Sequence, residues 1–372
     1  MSKYKKKVSL FMPGFYGGGG ERAMIKIAGG LLEKGVDVEF VVVKNEGELS
    51  GDVPEGVSVE KLGSSRILYS ILSLARYICR EKPSVIISAM TPSNLVMLVS
   101  SILSGFEGGK IVCEQNTLSK YINNYNKVSK KVLVLLTGYL YSRADNIVAV
   151  SKGVKKDLID LLSINKDDIS VAYNPVFDRS ILEKSKGKVN LEWFKEECRV
   201  ILGVGSLIKQ KGFDVLVEAF KIVSNNNDVN LLILGDGKCR KSIEEKCSNL
   251  GLSENVKMPG FVDNPIKYMA NSDVFVLSSR WEGLPFVLVE ALASGTPVVA
   301  TNCPSGPEEV LEGGKFGPLV PVSDERALAE SIIHVLENPD QPATSEQRIR
   351  RAQDFSVERS IEKYWSIVEQ YV

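Results

Sequence analysis

Two glutamates frame the residues best suited to chemistry in this chain. Glu282 and Glu290 stand in W-E-G-L-P-F-V-L-V-E (281–290), spaced E-x7-E, with Gly283, Leu284, Phe286 and Val287 between them. Pro285 suits the first position of a helix, where its missing N–H would have no partner. Gly295 suits the stop and Pro297 blocks continuation, so a helix over about 285–294 is expected. Its first free donors would be the N–H groups of Phe286, Val287 and Leu288, an anion site of the kind that holds phosphate. A carboxylate avoids phosphate oxygens and only accepts hydrogen bonds, so pairs of hydroxyls are its natural partners. Glu282 can then grip one sugar and Glu290 a second, with a diphosphate between them. That is the layout of a nucleotide-sugar: hexose, diphosphate, ribose, base. The same residues also admit a plainer assignment, with Glu282 as a helix cap or solvated side chain and Glu290 on the surface.

A second candidate lies near the start. In P-G-F-Y-G-G-G-G-E-R-A-M (13–24) Gly17, Gly18, Gly19 and Gly20 follow an apolar run and precede a helical pattern. Consecutive glycines let a backbone approach a ligand closely, and the helix that follows offers N–H groups to an anion. The stretch is neither G-x-G-x-x-G nor the Gly-Lys-Ser/Thr loop of nucleotide triphosphatases, which argues against a nicotinamide oxidoreductase. A merely flexible turn is the other reading.

The elements that must position these residues alternate regularly. Strands are expected at 8–12, 38–43, 85–90, 110–114, 146–150 and 169–173, and again at 200–205, 230–235, 256–260, 274–278 and 297–301. Helical patterns such as A-M-I-K-I-A-G-G-L-L-E-K-G (23–35), with a stop at Lys34-Gly35, lie between them. This alternation predicts an α/β protein of parallel sheets covered by helices. It breaks over 174–197, which reads as a linker, and then restarts. Two Rossmann-like domains, 1–175 and 190–355, are expected, with a ligand cleft at the carboxyl ends of the strands.

The chain has 372 residues, with 46 Lys+Arg against 46 Asp+Glu. Residues 1–180 hold 24 basic and 18 acidic side chains, a net of +6, which leaves −6 for the rest. A basic first half suits an anionic partner or membrane surface, or reflects ordinary scatter. No nucleic-acid partner is expected. The six cysteines form no C-x-x-C pair, so neither a disulfide framework nor a zinc site is indicated. There is no signal-peptide core, and the run V-L-V-L-L-T-G-Y-L-Y (132–141) is half the ~20 residues a span needs. A cytoplasmic protein is expected, at most attached to the inner face of the cytoplasmic membrane. The basic, aromatic segment 120–141 suits such contact, and suits equally a buried helix with a solvated edge.

The segment S-S-R-W-E-G-L-P-F-V-L-V-E-A-L-A-S-G-T-P-V-V-A-T-N-C-P-S-G-P-E-E-V-L (278–311) resembles the donor-site signature of retaining glycosyltransferases of the GT-B fold, family 4. V-G-S-L-I-K-Q-K-G-F-D-V-L-V-E-A-F (204–220) resembles that family's phosphate-binding strand–loop–helix, 231–279 its base-binding region, and Gly17–Gly20 its N-terminal loop facing the diphosphate. The likeness covers nearly the whole chain, is strongest over 200–320 and weakens between 45 and 145. It implies that Glu290 binds ribose hydroxyls and Glu282 a hexose hydroxyl. Gly283 and Leu284 would lie near the sugar and the Phe286–Val287 amides would hold phosphate. It also implies that Lys211 neutralises the diphosphate and that the backbone at Phe261 and Val262 meets the base. Lys211 and Glu282 are the expected catalytic pair.

Two departures stand out. Many members carry arginine where this chain has Ser206, and Lys209 is the candidate substitute. The only histidine, His334, lies in an amphipathic pattern (327–338), while Gln115 and Asn116 occupy roughly the acceptor-side position. The resemblance implies transfer with retention from a nucleotide-sugar, a UDP-sugar favoured over GDP-mannose, to a glycan or lipid-linked glycan. It also implies that 356–372 crosses back onto the first domain. No D-x-D occurs, so neither a metal nor another cofactor is expected. A sugar-nucleotide epimerase and a non-catalytic nucleotide-sugar-binding protein are the competing classes.

Overall fold

The computed structural model describes residues 5–123, 126–189, 191–194, 198–225 and 227–372. Of the expected segments, residues 124–125 of the basic stretch and residues 190 and 195–197 of the linker lie outside these. The chain forms two compact units, Met1–Pro175 with Val357–Val372, and Val176–Ser356.

The first unit is built on seven strands: β1 Lys5–Met12, β2 Asp37–Val42, β3 Ser58–Lys61, β4 Pro83–Ala89, β5 Gly109–Glu114, β6 Asn146–Ala149 and β7 Ile169–Val171. All pair in parallel, in the order β3-β2-β1-β4-β5-β6-β7. Every residue of β4 is buried, as a strand covered on both sides requires. The helices are α1 Gly19–Glu33, α2 Ile71–Glu81, α3 Thr91–Ser104, α4 Leu118–Ile122, α5 Lys127–Tyr141 and α6 Lys152–Leu162. Chain order reverses between β1 and β4, and right-handed crossovers then put α1 on one side of the sheet and α2–α6 on the other.

The second unit has six strands: β8 Arg199–Val204, β9 Val229–Leu234, β10 Val256–Gly260, β11 Val274–Leu277, β12 Val298–Thr301 and β13 Leu319–Val320. They too are parallel, ordered β10-β9-β8-β11-β12-β13. Its helices are α7 Ser180–Ser185, α8 Phe213–Val223, α9 Arg240–Asn249, α10 Ile266–Asn271, α11 Phe286–Ala293, α12 Pro307–Val310, α13 Glu325–Glu337 and α14 Ser345–Ala352. The last helix, α15 Val357–Val368, belongs to the first unit and packs on α1. Gly30 permits that approach, since a Cβ there would come within 2.4 Å of the Ile361 side chain.

Both sheets hold a strand the apolar pattern did not announce. β3 reads S-V-E-K and has no fully buried position, and β13 is two residues long. Both are edge strands, where short and polar sequences are favoured. The helix at 127–141 buries one face, with Thr137, Leu140 and Tyr141 inside, and leaves apolar residues exposed on the other. In α5, Val128, Val132, Leu135, Leu136 and Tyr139 recur at helical spacing and all are exposed, Val128 and Leu135 by more than 70%.

Candidate functional site

In the second unit, Lys211 follows β8 and Glu282 follows β11, neighbouring strands on either side of the point where strand order reverses. Ligands of open parallel sheets bind at the carboxyl ends of strands there. The Lys211 Nζ lies 2.7 Å from Glu282 Oε1, which also accepts a 2.6 Å hydrogen bond from the Ser279 hydroxyl. Glu282 is buried, so its charge needs such partners.

Several contacts fix this pair. Gly212 has φ +66° and ends the turn 209–211; a Cβ there would meet the Ser278 carbonyl at 2.1 Å. Only glycine allows the two loops to close so tightly. The Ser278 hydroxyl donates to the Lys211 carbonyl at 2.8 Å, and the Gln210 amide donates to the Trp281 carbonyl at 2.9 Å. Arg280 donates to the Lys209 carbonyl and forms a two-pronged pair with Asp214, at 2.8 and 2.7 Å. That guanidinium holds the Asp214 carboxyl below its ordinary range. The Lys211 stem runs over Gly205, 3.5 Å from where a Cβ would stand. On the other flank the Glu282 N–H donates to the Pro304 carbonyl at 2.8 Å. Burial, and after it the Glu282 charge, pushes the neighbouring Cys303 thiol up to about 12, so it stays protonated.

The helix expected after Glu282 is α11, one residue shorter at each end, with Pro285 as its cap residue. No side chain caps it. Leu288 is a correction to the expected donors: its N–H turns back onto the Pro285 carbonyl at 3.1 Å. The first-turn amides of Phe286 and Val287 remain suited to an anion. Gly283 and Leu284 are buried, while Phe286, Val287 and Glu290 are half-buried, with Glu290 one turn further along α11. Ser206 and Lys209 are exposed on the loop after β8, and Phe261, 56% exposed, and Val262 follow β10. His334 is exposed in the last turn of α13. Among the described residues no group of three or more His, Cys, Asp or Glu side chains is placed to hold a metal ion.

Gly17, Gly18 and Gly19 follow β1 in the first unit, at the start of α1. Two carboxylates accompany them, which the sequence reading missed. A Cβ on Gly18 would meet Glu21 Oε2 at 2.4 Å, and one on Gly17 would meet Glu48 Oε2 at 3.0 Å. Glu21 is buried and bonds its own backbone N–H; burial pushes its carboxyl above the ordinary value. An acidic residue in a helix's first turn is so common that no sequence signal separates this one from a solvated Glu.

Residues 190–354 match the family described as Glycosyl transferases group 1, and residues 17–178 match Glycosyltransferase Family 4. One relative is the N-acetylgalactosamine-N,N'-diacetylbacillosaminyl-diphospho-undecaprenol 4-alpha-N-acetylgalactosaminyltransferase of Campylobacter jejuni, 34% identical over 58% of this chain and 56% of that protein. Another is the lipopolysaccharide core biosynthesis glycosyltransferase LpsE of Rhizobium meliloti, 26% identical over 86% of each chain. The crystal structure of Anabaena HepE in complex with UDP and glucose has the same fold, with a TM-score of 0.82 at 20% identity over 98% of this chain and 99% of that one. With two parallel-sheet units and both family signatures in one chain, the protein belongs to the group 1, family 4 glycosyltransferases of the GT-B fold.

Proposed function

We propose that this glycosyltransferase moves a hexosyl residue from a UDP-sugar to a glycan or lipid-linked glycan during surface polysaccharide assembly, with retention of configuration. The observation that carries the reading is the clamped Lys211–Glu282 pair beside the uncapped start of α11. A departing nucleoside diphosphate needs its growing charge met, and a lysine with two oriented amides does so without reorganising. Lys211 and the Phe286–Val287 amides therefore take the diphosphate, and Lys209 supplements the charge that Ser206 lacks. Glu282 takes a hexose hydroxyl near Gly283 and Leu284, Glu290 takes the ribose, and the backbone at Phe261–Val262 takes the base. This division of labour calls for no metal. UDP bound to HepE supports the nucleotide, and the named roles of LpsE and the Campylobacter enzyme support glycan acceptors, one of them lipid-linked.

Glu21 and Glu48 make the Gly17–Gly19 loop a poor neighbour for phosphate, so the donor's diphosphate is assigned to the second unit's residues alone. The exposed apolar stripe of α5 is the surface we assign to peripheral contact with the inner face of the cytoplasmic membrane. Residues 115–144 contain five Lys or Arg and no Asp or Glu, which suits an anionic lipid surface. The test of the donor site is thermal unfolding with a panel of UDP- and GDP-sugars. A UDP-sugar is expected to stabilise the protein, and Glu290→Ala to abolish the shift. Stabilisation by GDP-mannose alone would overturn the nucleotide, and silence across the panel would favour a non-catalytic protein.

A further inference from the structure

The carboxyl end of α11 meets a buried cation that the donor site described above does not include. α11 closes with the Gly295 N–H on the Leu292 carbonyl and the Thr296 N–H on the Ala291 carbonyl, Gly295 having φ +74°. The first turn of α14 sits directly on that stop, since a Cβ on Gly295 would meet the Ser345 Oγ at 2.2 Å. One turn along α14 stands Arg348, 3% exposed. Its Nε donates to the Gly295 carbonyl at 2.9 Å, and its Nη1 donates to the carbonyls of Pro339 at 2.9 Å and Ala343 at 2.5 Å. All three partners are neutral, and among the described residues no carboxylate forms an ion pair with it. Asp340 and Glu346 act on it only through space, from exposed positions. Burial lowers its pKa, yet a guanidinium stays protonated in a protein. Carbonyls can be satisfied by neutral donors, so a buried charge without a counter-ion is more than this packing needs.

Arg351, three residues on, supplies the contrast. It donates to the last two carbonyls of α12, Val310 at 2.9 Å and Glu309 at 2.5 Å. Its charge is matched by Glu312 at 2.9 Å and Asp354 at 2.8 Å. Two arginines of one helix thus hold two neighbouring helix ends, one with its charge cancelled and one without. A cation at the last carbonyls of a helix offsets the negative pole, so the positive pole at the first amides is left unopposed. α11 is eight residues long, about 12 Å at ~1.5 Å per residue. Leu288, Val289, Ala291, Leu292 and Ala293 are buried, so the field between its ends runs through protein and is weakly screened by salt. We propose that Arg348 is a positioning residue for the donor's diphosphate, on the reading above that the Phe286–Val287 amides take it. Arg348 fixes the axis of α11 from behind and adds an uncompensated positive charge to the field at those amides.

The test is calorimetry on the full chain with UMP and UDP, and with GMP and GDP beside them. Across about 15 Å at an effective dielectric of about 20, one cation changes affinity about fivefold for each added negative charge. Wild type is expected to bind the diphosphate more tightly than the monophosphate. That preference should shrink about fivefold in Arg348→Met and in Arg348→Gln, the latter keeping N–H donors for the carbonyls should the former not fold. Arg348→Lys keeps the charge without the fork and should hold the preference within about twofold. Arg351→Met should hold it too, although it and Arg348→Met both lower the unfolding temperature, so that instability alone would not separate them. A preference unchanged in the two charge-free variants at Arg348 would overturn the inference. Equal losses in Arg348→Lys and Arg348→Met would also overturn it, because shape and not charge would then be what counts. An equal loss in Arg351→Met would do the same by showing a general loosening of α14. A wild type that favours neither diphosphate over its monophosphate would overturn the diphosphate reading together with this one. The graded loss appearing with GDP in place of UDP would support the role of Arg348 and correct only the base.

Discussion

Replacing Lys211 by methionine is the sharpest probe of the donor site, because it deletes the charge while keeping a stem that can lie over Gly205. If the Nζ neutralises the departing diphosphate, its loss should lower turnover by about 10²–10³, or about 3–4 kcal/mol of transition-state stabilisation. Donor affinity should fall less, since the charge on the leaving oxygen grows only as the bond breaks. The structure adds a cost that must be separated from this one. Glu282 is 5% exposed and its Oε1 is held at 2.7 Å by the lysine. Stranding a buried carboxylate costs up to about 3–5 kcal/mol, and partial exposure of Lys211 puts this case towards the lower end.

The double variant Lys211→Met/Glu282→Gln makes the separation. Neutralising both partners removes the stranded charge, so most of the lost stability should return while turnover stays low. The assay is UDP release from the donor that stabilises the protein, with water as acceptor, read beside the unfolding temperature. Turnover in Lys211→Met within about threefold of wild type would refute the leaving-group role. Recovery of turnover in the double variant would show that the single variant had failed through instability alone.

Lys209→Ala is expected to weaken donor affinity severalfold if Lys209 stands in for arginine at Ser206, and calorimetry with UDP showing no change would remove it from the site. Leu135→Asp in the exposed stripe of α5 should abolish sedimentation with phosphatidylglycerol vesicles without altering UDP binding, and unchanged sedimentation would exclude that stripe. Glu114 gives a pH prediction: burial pushes its carboxyl up from 4.5 to about 7, against hydrogen bonds from Tyr141, Thr91 and Asn94. A raised carboxyl favours the fold most below its ordinary value and loses that contribution as pH climbs through 7. Glu114→Gln should therefore unfold at a higher temperature relative to wild type at pH 8 than at pH 5.5, and a constant difference would contradict it.

What the sequence disclosed follows from which signals are local. Parallel strands buried on both sides are apolar over most of their length, so β4 and β9 announce themselves, and the glycines that end turns mark the loops between. The E-x7-E segment was legible for the same reason: Pro285 and Gly295 bound a single helix that carries Glu290, with Glu282 in the turn just before it. Lys211 became interesting only through family resemblance, because its partner Glu282 lies on another loop. Arg280 and Asp214, which clamp those loops together, carried no signal at all, being one arginine and one aspartate among many until the fold sets them 2.7 Å apart.

The same limit explains the glycine loop. A run of glycines before a helix reads as a place where backbone can approach a ligand, and helix-dipole reasoning then supplies an anion by default. Which ligand it suits depends on side chains from β2's loop, β5 and β7, and those bring Glu48, Gln115 and Asn174. Glu48 puts a carboxylate beside the glycines from another loop, which no local pattern around them announces. The first unit assembles its polar groups from three strand ends, an arrangement that leaves little trace in any short stretch of sequence.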